Sequence, residues 1–369
     1  MSKSPFHTGK QGLTYRSKER VWPTGCRLLN TAIGVFDPIT KLPGIPAATI
    51  MEVFGPNASL KTALWESLAA NIHRLDPKAR VLAIMGEEPE YSRFASVGID
   101  IERIDCWTYY NPNDPGNIMS AEEGLDLAVE AVSDPEAPYA LVVVDSIKSL
   151  TSEGQIFTKN GELESLAKTE PVAARARLVN KFIGRYVAAN KCRAILFCTN
   201  QKTESPSQNF TVGLNMRSET TGGREKEHAC KLRIKCDSTV PDQTDKPEEQ
   251  GMFKNKIYNR IKPIYYLQKN KYGYPFRTVI SEFSLDEKRY LNENNCLAVA
   301  EFMGLVERKG NSHWVLDGKT IQGKEAARAF LRDNKEYQDK LWKEIDSRHE
   351  EFFRSATKKS AKSALDDED

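Results

Sequence analysis

Short, nearly continuous apolar runs recur along the first part of the chain: AATIMEVF at 47–54, RVLAIM at 80–85, YALVVVD at 139–145 and CRAILFCT at 192–199. Helix-length amphipathic segments, such as 62–75 and 172–190, lie between them. A strand apolar at every position is buried on both faces, and such strands alternating with helices make a largely parallel sheet covered on two sides. The pattern therefore predicts an α/β fold. Three further strands are expected in ACKLRIKC (229–236), IKPIYYLQ (261–268) and FRTVISEFS (276–284). Beyond about residue 290 the pattern turns helical, with segments at 323–332 and 335–353 separated by Asp333-Asn334.

Polar stretches divide this pattern. Residues 1–25, ending in Trp22-Pro23-Thr24-Gly25, read as an arm outside the core, and 26–286 as the core itself. Within the core, 237–256 is rich in Asp, Gln, Pro and Lys and is expected to be a long loop or insertion between strands. Residues 287–353 suit a small C-terminal α/β domain, and 354–369 a disordered tail that switches from basic to acidic. A chain of 369 residues accommodates one large core with such appendages. Lys and Arg number 53 against 51 Asp and Glu, a net charge of +2, so any nucleic-acid site must be local. The seven cysteines, several of them in apolar runs and none in a C-x-x-C pair, read as reduced core residues of a cytoplasmic protein. The start MSKSPFHTGKQG lacks an apolar leader, and no apolar stretch is long enough to span a membrane.

Gly55, Pro56, Asn57, Ala58, Ser59, Leu60, Lys61 and Thr62 spell GPNASLKT, directly after one predicted strand and opening a predicted helix. That is the context of a phosphate-binding loop. Backbone N–H groups of such a turn, on into the helix at Ala63, surround phosphate oxygens, with Lys61 reaching the β/γ-phosphates and Thr62 holding Mg²⁺. The usual motif has Gly before the Lys; here Leu60 crowds the turn. The apolar strand Val142-Val143-Val144 ends in Asp145, placed to meet the metal coordination sphere, although an Asp there also serves as a simple turn or helix cap. Hydrolysis needs a group to activate water, and Gly86-Glu87-Glu88 follows a strand at the carboxyl edge, where open α/β sheets bind ligands. Glu87 is the candidate; spacing alone does not separate it from Glu88.

The motifs GPNASLKT, IMGEEPEYSRFASVGID, VVVDSIKSLT, ILFCTNQ, TTGG, KNKYGYPF and IQGKEAARAFLRDN occur in this order. From about residue 24 to 350 the chain resembles the RecA-type recombinases, and more particularly those of phages such as UvsX. The resemblance implies a RecA-type core using ATP and Mg²⁺, with Glu87 catalytic and Glu90 or Arg93 near the adenine. It makes Gln201 the sensor of the γ-phosphate, an amide having both donor and acceptor. It assigns Lys269 and Lys271 to the neighbouring subunit's ATP. Two stretches would face DNA, 152–169 and 202–226. The second contributes Lys202, Phe210, Arg217, Thr220, Thr221, Gly222, Gly223 and Arg224, although its basic residues, Lys226 included, are nearly cancelled by Glu204, Glu219 and Glu225. The implied partners are single-stranded DNA, homologous duplex and further copies in a helical filament, with a single-strand-binding protein and a loading factor beside them. A phage-encoded member would act in the host cytoplasm. The alternatives are a ring-forming helicase or translocase and a non-exchanging RecA paralogue.

Overall fold

The computed structural model describes residues 19–349 and 351, except 112, 115–116, 159, 166–173, 204–218, 221 and 240–258. The four apolar runs become the centre of a ten-stranded sheet. Its parallel strands are β1 (Ile50–Phe54), β2 (Arg80–Met85), β3 (Ile104–Trp107), β4 (Tyr139–Asp145), β5 (Ile195–Asn200) and β6 (Leu232–Thr239), lying in the order β3-β2-β4-β5-β1-β6. The long strand β7 (Arg260–Asn270) pairs antiparallel with β6, and β8 (Thr278–Ile280), β9 (Phe283–Ser284) and β10 (Arg289–Tyr290) extend that edge antiparallel.

Alternation of side chains sorts the core into two layers. Met51 and Val53 of β1 face the helices α1 (Arg27–Ile33) and α2 (Lys61–Leu75), packing with Leu64 and Leu68. Ile50 of β1, with Val142, Val144 and Leu196, faces the other way, against α4 (Ala121–Ala131) and α5 (Ala174–Ala189), represented by Leu125 and Phe182. Helix α3 (Tyr91–Val97) follows β2, and α6 (Gly223–Ala229) precedes β6. Helix α4 starts on a capping box in which Ser120 and Glu123 exchange bonds with each other's backbone N–H.

Several boundaries differ from the sequence pattern. The arm is not wholly outside: Val21–Trp22 pairs with Ile45–Pro46, and Trp22 is buried in the core because its large apolar ring has no other cover. Polarity at Asp237–Thr239 does not end β6, since those residues still pair with Ile264, Pro263 and Lys262 at the open end of the sheet. The predicted strand 276–284 is broken into β8 and β9, and Ser281 at the break donates its N–H to the Pro263 carbonyl at 3.0 Å. The helix that begins at Lys335 runs to Ser347, where a turn at Arg348 interrupts the expected 335–353 segment, and His349 and Glu351 are again helical. Residues 1–18, most of the polar insertion and the tail lie outside the described residues. Among the described residues no helix is long and apolar enough to cross a membrane.

The C-terminal unit comprises α7 (Asn292–Phe302), an antiparallel sheet of β11 (Glu307–Lys309), β12 (His313–Leu316) and β13 (Lys319–Gln322), and helices α8 (Lys324–Asp333) and α9 (Lys335–Ser347). Its apolar residues Trp314, Leu331, Trp342 and Ile345 belong to the same continuous cluster as α1 and α2. Polar ties reinforce the seam: Asp346 of α9 accepts from Arg27 and, at 2.8 Å, from Thr31. Burial pushes the Asp346 carboxyl up, and Arg27 opposes the shift only in part. Because Trp342 closes this shared cluster, Trp342→Ala is expected to cost about 3–5 kcal/mol. Calorimetry should show the whole chain melting earlier in one transition; loss of a separate small transition alone would mean that the unit folds independently.

Candidate phosphate-binding site and its buried support

The GPNASLKT segment forms the turn between β1 and α2. Gly55 is required there, because a Cβ would lie 2.0 Å from the Cys236 carbonyl oxygen of β6. Ala58 and Leu60 both adopt left-handed backbone, at φ 59° and 60°. For a residue with a side chain this costs roughly 1–2 kcal/mol, which explains why Gly is usual at the second position. The Leu60 side chain turns away from the cleft and packs on the core, so burial offsets part of the strain. The crowding expected at Leu60 is therefore relieved by direction.

Lys61 folds back over the loop, donating to the carbonyls of Gly55 (3.2 Å) and Pro56 (2.5 Å) and to Ser59 Oγ (3.3 Å). Burial pulls its ammonium below the ordinary lysine range, and the Asp145 carboxylate opposes this only in part. Asp145, at the end of β4, gathers three donors. Its Oδ2 accepts from Thr62 Oγ1 at 2.9 Å and Trp65 Nε1 at 2.8 Å, and its Oδ1 from Thr199 Oγ1 at 2.5 Å. A hydroxyl beside a carboxylate is the hard-oxygen pair that suits Mg²⁺, which binds through one or two protein oxygens plus phosphate and water. Thr62 and Asp145 thus fit the ion assigned to them.

A cleft of about 510 Å³ opens beside this turn. Asn57, Ala58, Lys61, Thr62, Glu90, Arg93, Asp145 and Gln201 line it, and so do both Glu87 and Glu88. Gly55, Pro56, Ser59, Leu60 and Ala63 do not; they shape the turn from behind, and Ser59 and Ala63 are buried. Gly86 lets the Glu87 loop approach: a Cβ there would meet Ser149 Oγ at 1.9 Å. Arg93 is bound in a fork by the buried Glu66 of α2, at 2.7 and 2.8 Å, so its position is set from the phosphate-loop helix. The Gln201 amide oxygen accepts from Lys148 at 2.7 Å.

Lys269 and Lys271 are not brought to this cleft. Lys269 stands opposite Arg233, on the outer side of β6, and its ammonium caps the end of α6 by donating to the carbonyls of Glu227 (2.5 Å) and His228 (3.2 Å). Burial and the Lys271 charge push its pKa down. Lys271 is exposed. In the second DNA stretch, Phe210, Arg217 and Thr221 and the side chains of Lys202 and Arg224 lie outside the described residues. The stem of the stretch is a short ribbon, Lys202–Thr203 paired with Glu219–Thr220, followed by Gly222 and Gly223 in left-handed backbone (φ 107° and 79°).

Two residues of that stretch point inward, contrary to expectation. Thr220 and Lys226 are buried, the latter completely, and both join a polar cluster around Glu52 of β1. Lys226 Nζ donates to Glu52 Oε1 and, at 3.0 Å, to Thr220 Oγ1. Arg233 Nε donates to Glu52 Oε2 at 2.8 Å, and Asn200 Nδ2 to Glu52 Oε1 at 2.9 Å. An ammonium shut away from solvent finds its counter-charge inside and is lost as a phosphate contact. Burial pushes the Glu52 carboxyl up, but Lys226 and Arg233 outweigh it and hold it below the ordinary range. Its stabilising contribution is therefore present above about pH 4.3, the unperturbed value, and lost as pH falls through the lower folded one. The sequence carried a signal for this cluster: IMEVF holds one acid in an otherwise apolar buried strand.

A family model, that of the RecA N-terminal domain, matches residues 9–287. Protein RecA of Streptomyces ambofaciens is 28% identical over 338 residues, covering 89% of this chain and 78% of its own. Protein RecA of Bacteroides thetaiotaomicron is 25% identical over 324 residues, covering 87% and 85%. Protein RecA of Picosynechococcus is 27% identical over 314 residues, covering 85% and 78%.

Because the Leu60 side chain faces the core, Leu60→Gly should shift affinity for a nucleotide by less than about tenfold, or 1.4 kcal/mol. Titration calorimetry with a non-hydrolysable ATP analogue reads this directly. A gain of about 100-fold would show that the leucine obstructs the cradle.

Proposed function

The chain belongs to the RecA family, and we propose that this RecA-like recombinase binds ATP with Mg²⁺ in the 510 Å³ cleft, between adjacent subunits of a filament on single-stranded DNA. The observation that carries the reading is the convergence of Lys61, Thr62, Asp145, Glu87 and Gln201 on one cleft at the carboxyl ends of parallel strands. Nucleotide phosphates draw Lys61 off its loop carbonyls, and the first-turn N–H groups of α2 orient them. Mg²⁺ supplies charge neutralisation on the phosphate oxygens. Thr62 and Asp145 would hold it, with Trp65 and Thr199 fixing the orientation of the Asp145 carboxylate.

Glu87 orients the attacking water and takes its proton, and Gln201 turns from Lys148 towards the terminal phosphate. Lys269 and Lys271 serve the site of the next subunit, since the cleft of their own is lined by neither. Hydrolysis is then a property of assembly, stimulated by the DNA that organises it. Pairing of the bound strand with homologous duplex completes the recombinase activity. Electron microscopy with ATP and single-stranded DNA distinguishes a helical filament from the ring of a translocase and from the small complex of an assembly factor.

Two outcomes are expected in activity assays. Glu87→Gln should keep ATP binding and lose turnover by about 10²–10⁴-fold. Normal turnover there, with an inactive Glu88→Gln, would move the role to Glu88. Separately, Lys61→Ala and Lys269→Ala proteins should each be nearly inactive, yet mixed filaments should recover activity at interfaces that pair one intact half from each. If filaments shown to be mixed stay inactive at every ratio, the site is self-contained and the shared mechanism is wrong.

A further inference from the structure

A second cleft of about 510 Å³ lies at the carboxyl end of α2, the opposite end of that helix from the phosphate loop. Core and C-terminal unit both line it. Arg74 stands in the last turn of α2 and Arg103 just before β3; Lys288 and Arg289 come from the β9–β10 hairpin, and Lys335 opens α9. Among the described residues no Asp or Glu lines this cleft. The nucleotide cleft has the reverse character, with Glu66, Glu87, Glu88, Glu90 and Asp145 in its wall.

Two of the five cations are already satisfied. Arg103 donates to Asp100 at 2.7 Å and caps α2 through the carbonyls of Asp76 (2.9 Å) and His73 (3.1 Å). Arg289 is paired with Glu287 (2.5 Å) and Glu293 (2.9 Å). Arg74, Lys288 and Lys335 differ: their hydrogen bonds go to neutral oxygens, of Asn71 (2.8 Å), Ser96 (2.6 Å) and Gln338 (3.0 Å), and among the described residues none of the three has an ion pair. Set against the three carboxylates bonded to Arg103 and Arg289, the five cations leave a surplus of two positive charges. Because Arg103 already serves the end of α2, Arg74 is not needed to offset the helix dipole.

The wall also holds an unmet donor. His73 is 4% exposed, and its Nδ1 accepts the Asp100 N–H at 3.1 Å. Burial and the Arg103 charge push the imidazole below its usual range, so at neutral pH it is uncharged and carries its proton on Nε2. That nitrogen is buried without a hydrogen-bond partner, although the Arg103 backbone lies near. Buried donors are nearly always paired. Surplus charge and an unpaired donor in one wall both call for an anionic oxygen.

We propose that this cleft binds a multiply charged phosphate-type oxyanion, free or carried by a small molecule, held jointly by Arg74 of the core, Lys288 of the sheet edge and Lys335 of the C-terminal unit. The site is separate from the nucleotide cleft and independent of the ATPase reading. Guanidinium and ammonium groups bind such oxygens by charge-assisted hydrogen bonds, stronger than those to the neutral partners they now hold. An anion shared by α2 and α9 tightens the seam between core and C-terminal unit, so binding and docking stabilise each other.

The test uses inorganic pyrophosphate and the full-length chain. Titration calorimetry compares the unmodified protein, Lys61→Ala with its impaired phosphate loop, and the double variant Arg74→Gln/Lys335→Gln. Binding should persist in Lys61→Ala and weaken about tenfold or more in the double variant. Unchanged affinity in the double variant overturns the proposal, and so does complete loss in Lys61→Ala, because the phosphate loop alone then takes the anion. The Lys61→Ala protein should also melt higher in phosphate than in chloride at equal ionic strength, and adding Lys335→Gln should remove the rise. Lys335 is exposed, so this second measurement stands even if the double variant does not fold; a rise that survives refutes the shared site. A single-stranded oligonucleotide that binds through Arg74 and Lys335 where pyrophosphate does not would give the cleft to nucleic acid and overturn the small-anion assignment.

Discussion

Three donors converge on the carboxylate of Asp145, and the candidate site is assembled around them. Thr62 and Trp65 come from the helix that follows the phosphate loop, Thr199 from the neighbouring strand, and Asp145 itself from the strand between β2 and β5. Helix α2 is thereby locked in both translation and rotation against the sheet, with Leu64 and Leu68 supplying the apolar contact beneath. A carboxylate held in this way cannot swing to suit each ligand, so its oxygens are already placed when charge has to be neutralised. The Thr62–Asp145 hydrogen bond holds a hydroxyl and a carboxylate side by side, the arrangement that the proposed Mg²⁺ would require.

Close packing adds a second constraint. Gly55 and Gly86 stand where two loops come so near to other chain segments that a Cβ would fall within 2.0 Å of a neighbouring oxygen. Each brings a functional group into the cleft, the phosphate loop in one case and the Glu87 loop in the other. Leu60 is the complementary case. It occupies backbone that glycine would adopt without strain, yet its side chain recovers stability by packing inward. Backbone geometry and side-chain direction are separable, and the motif tolerates a bulky residue for that reason.

Much of this was legible in the chain. The apolar runs marked β1, β2, β4 and β5 with boundaries near those observed, because strands buried on both faces have no polar alternation to confuse them. The short β3 was not anticipated: Asp105 interrupts it, and its side chain is held by Arg80 at 2.7 Å rather than by water alone. The loop motif singled out Lys61 and Thr62, and the apolar strand ending in an acid singled out Asp145; the structure brings the three to one cleft. Trp65 and Thr199 were invisible, because a Trp on an apolar helix face and a Thr in a strand look like ordinary packing. Lys226 and Thr220 were assigned to the DNA face for the opposite reason. Their segment is polar overall, and only the fold reveals that Glu52 lies beneath them.

That burial changes the electrostatics of the proposed nucleic-acid surface. With Lys226 spent on Glu52, the second stretch keeps Lys202, Arg217 and Arg224 against Glu204, Glu219 and Glu225, and its charges balance. A single subunit then offers few net phosphate contacts, and affinity for a polyanion grows with the number of phosphates neutralised. In the proposed filament, linked subunits would overcome this, because once one is bound the next engages at high effective concentration. Lys269 and Lys271 lie outside the cleft of their own chain, and the proposed role for them would impose the same requirement on the chemistry. On the proposed reading, balanced loop charge and a divided site would have a common consequence: strand binding and hydrolysis would both be weak in the isolated chain and would arise together when copies assemble along DNA.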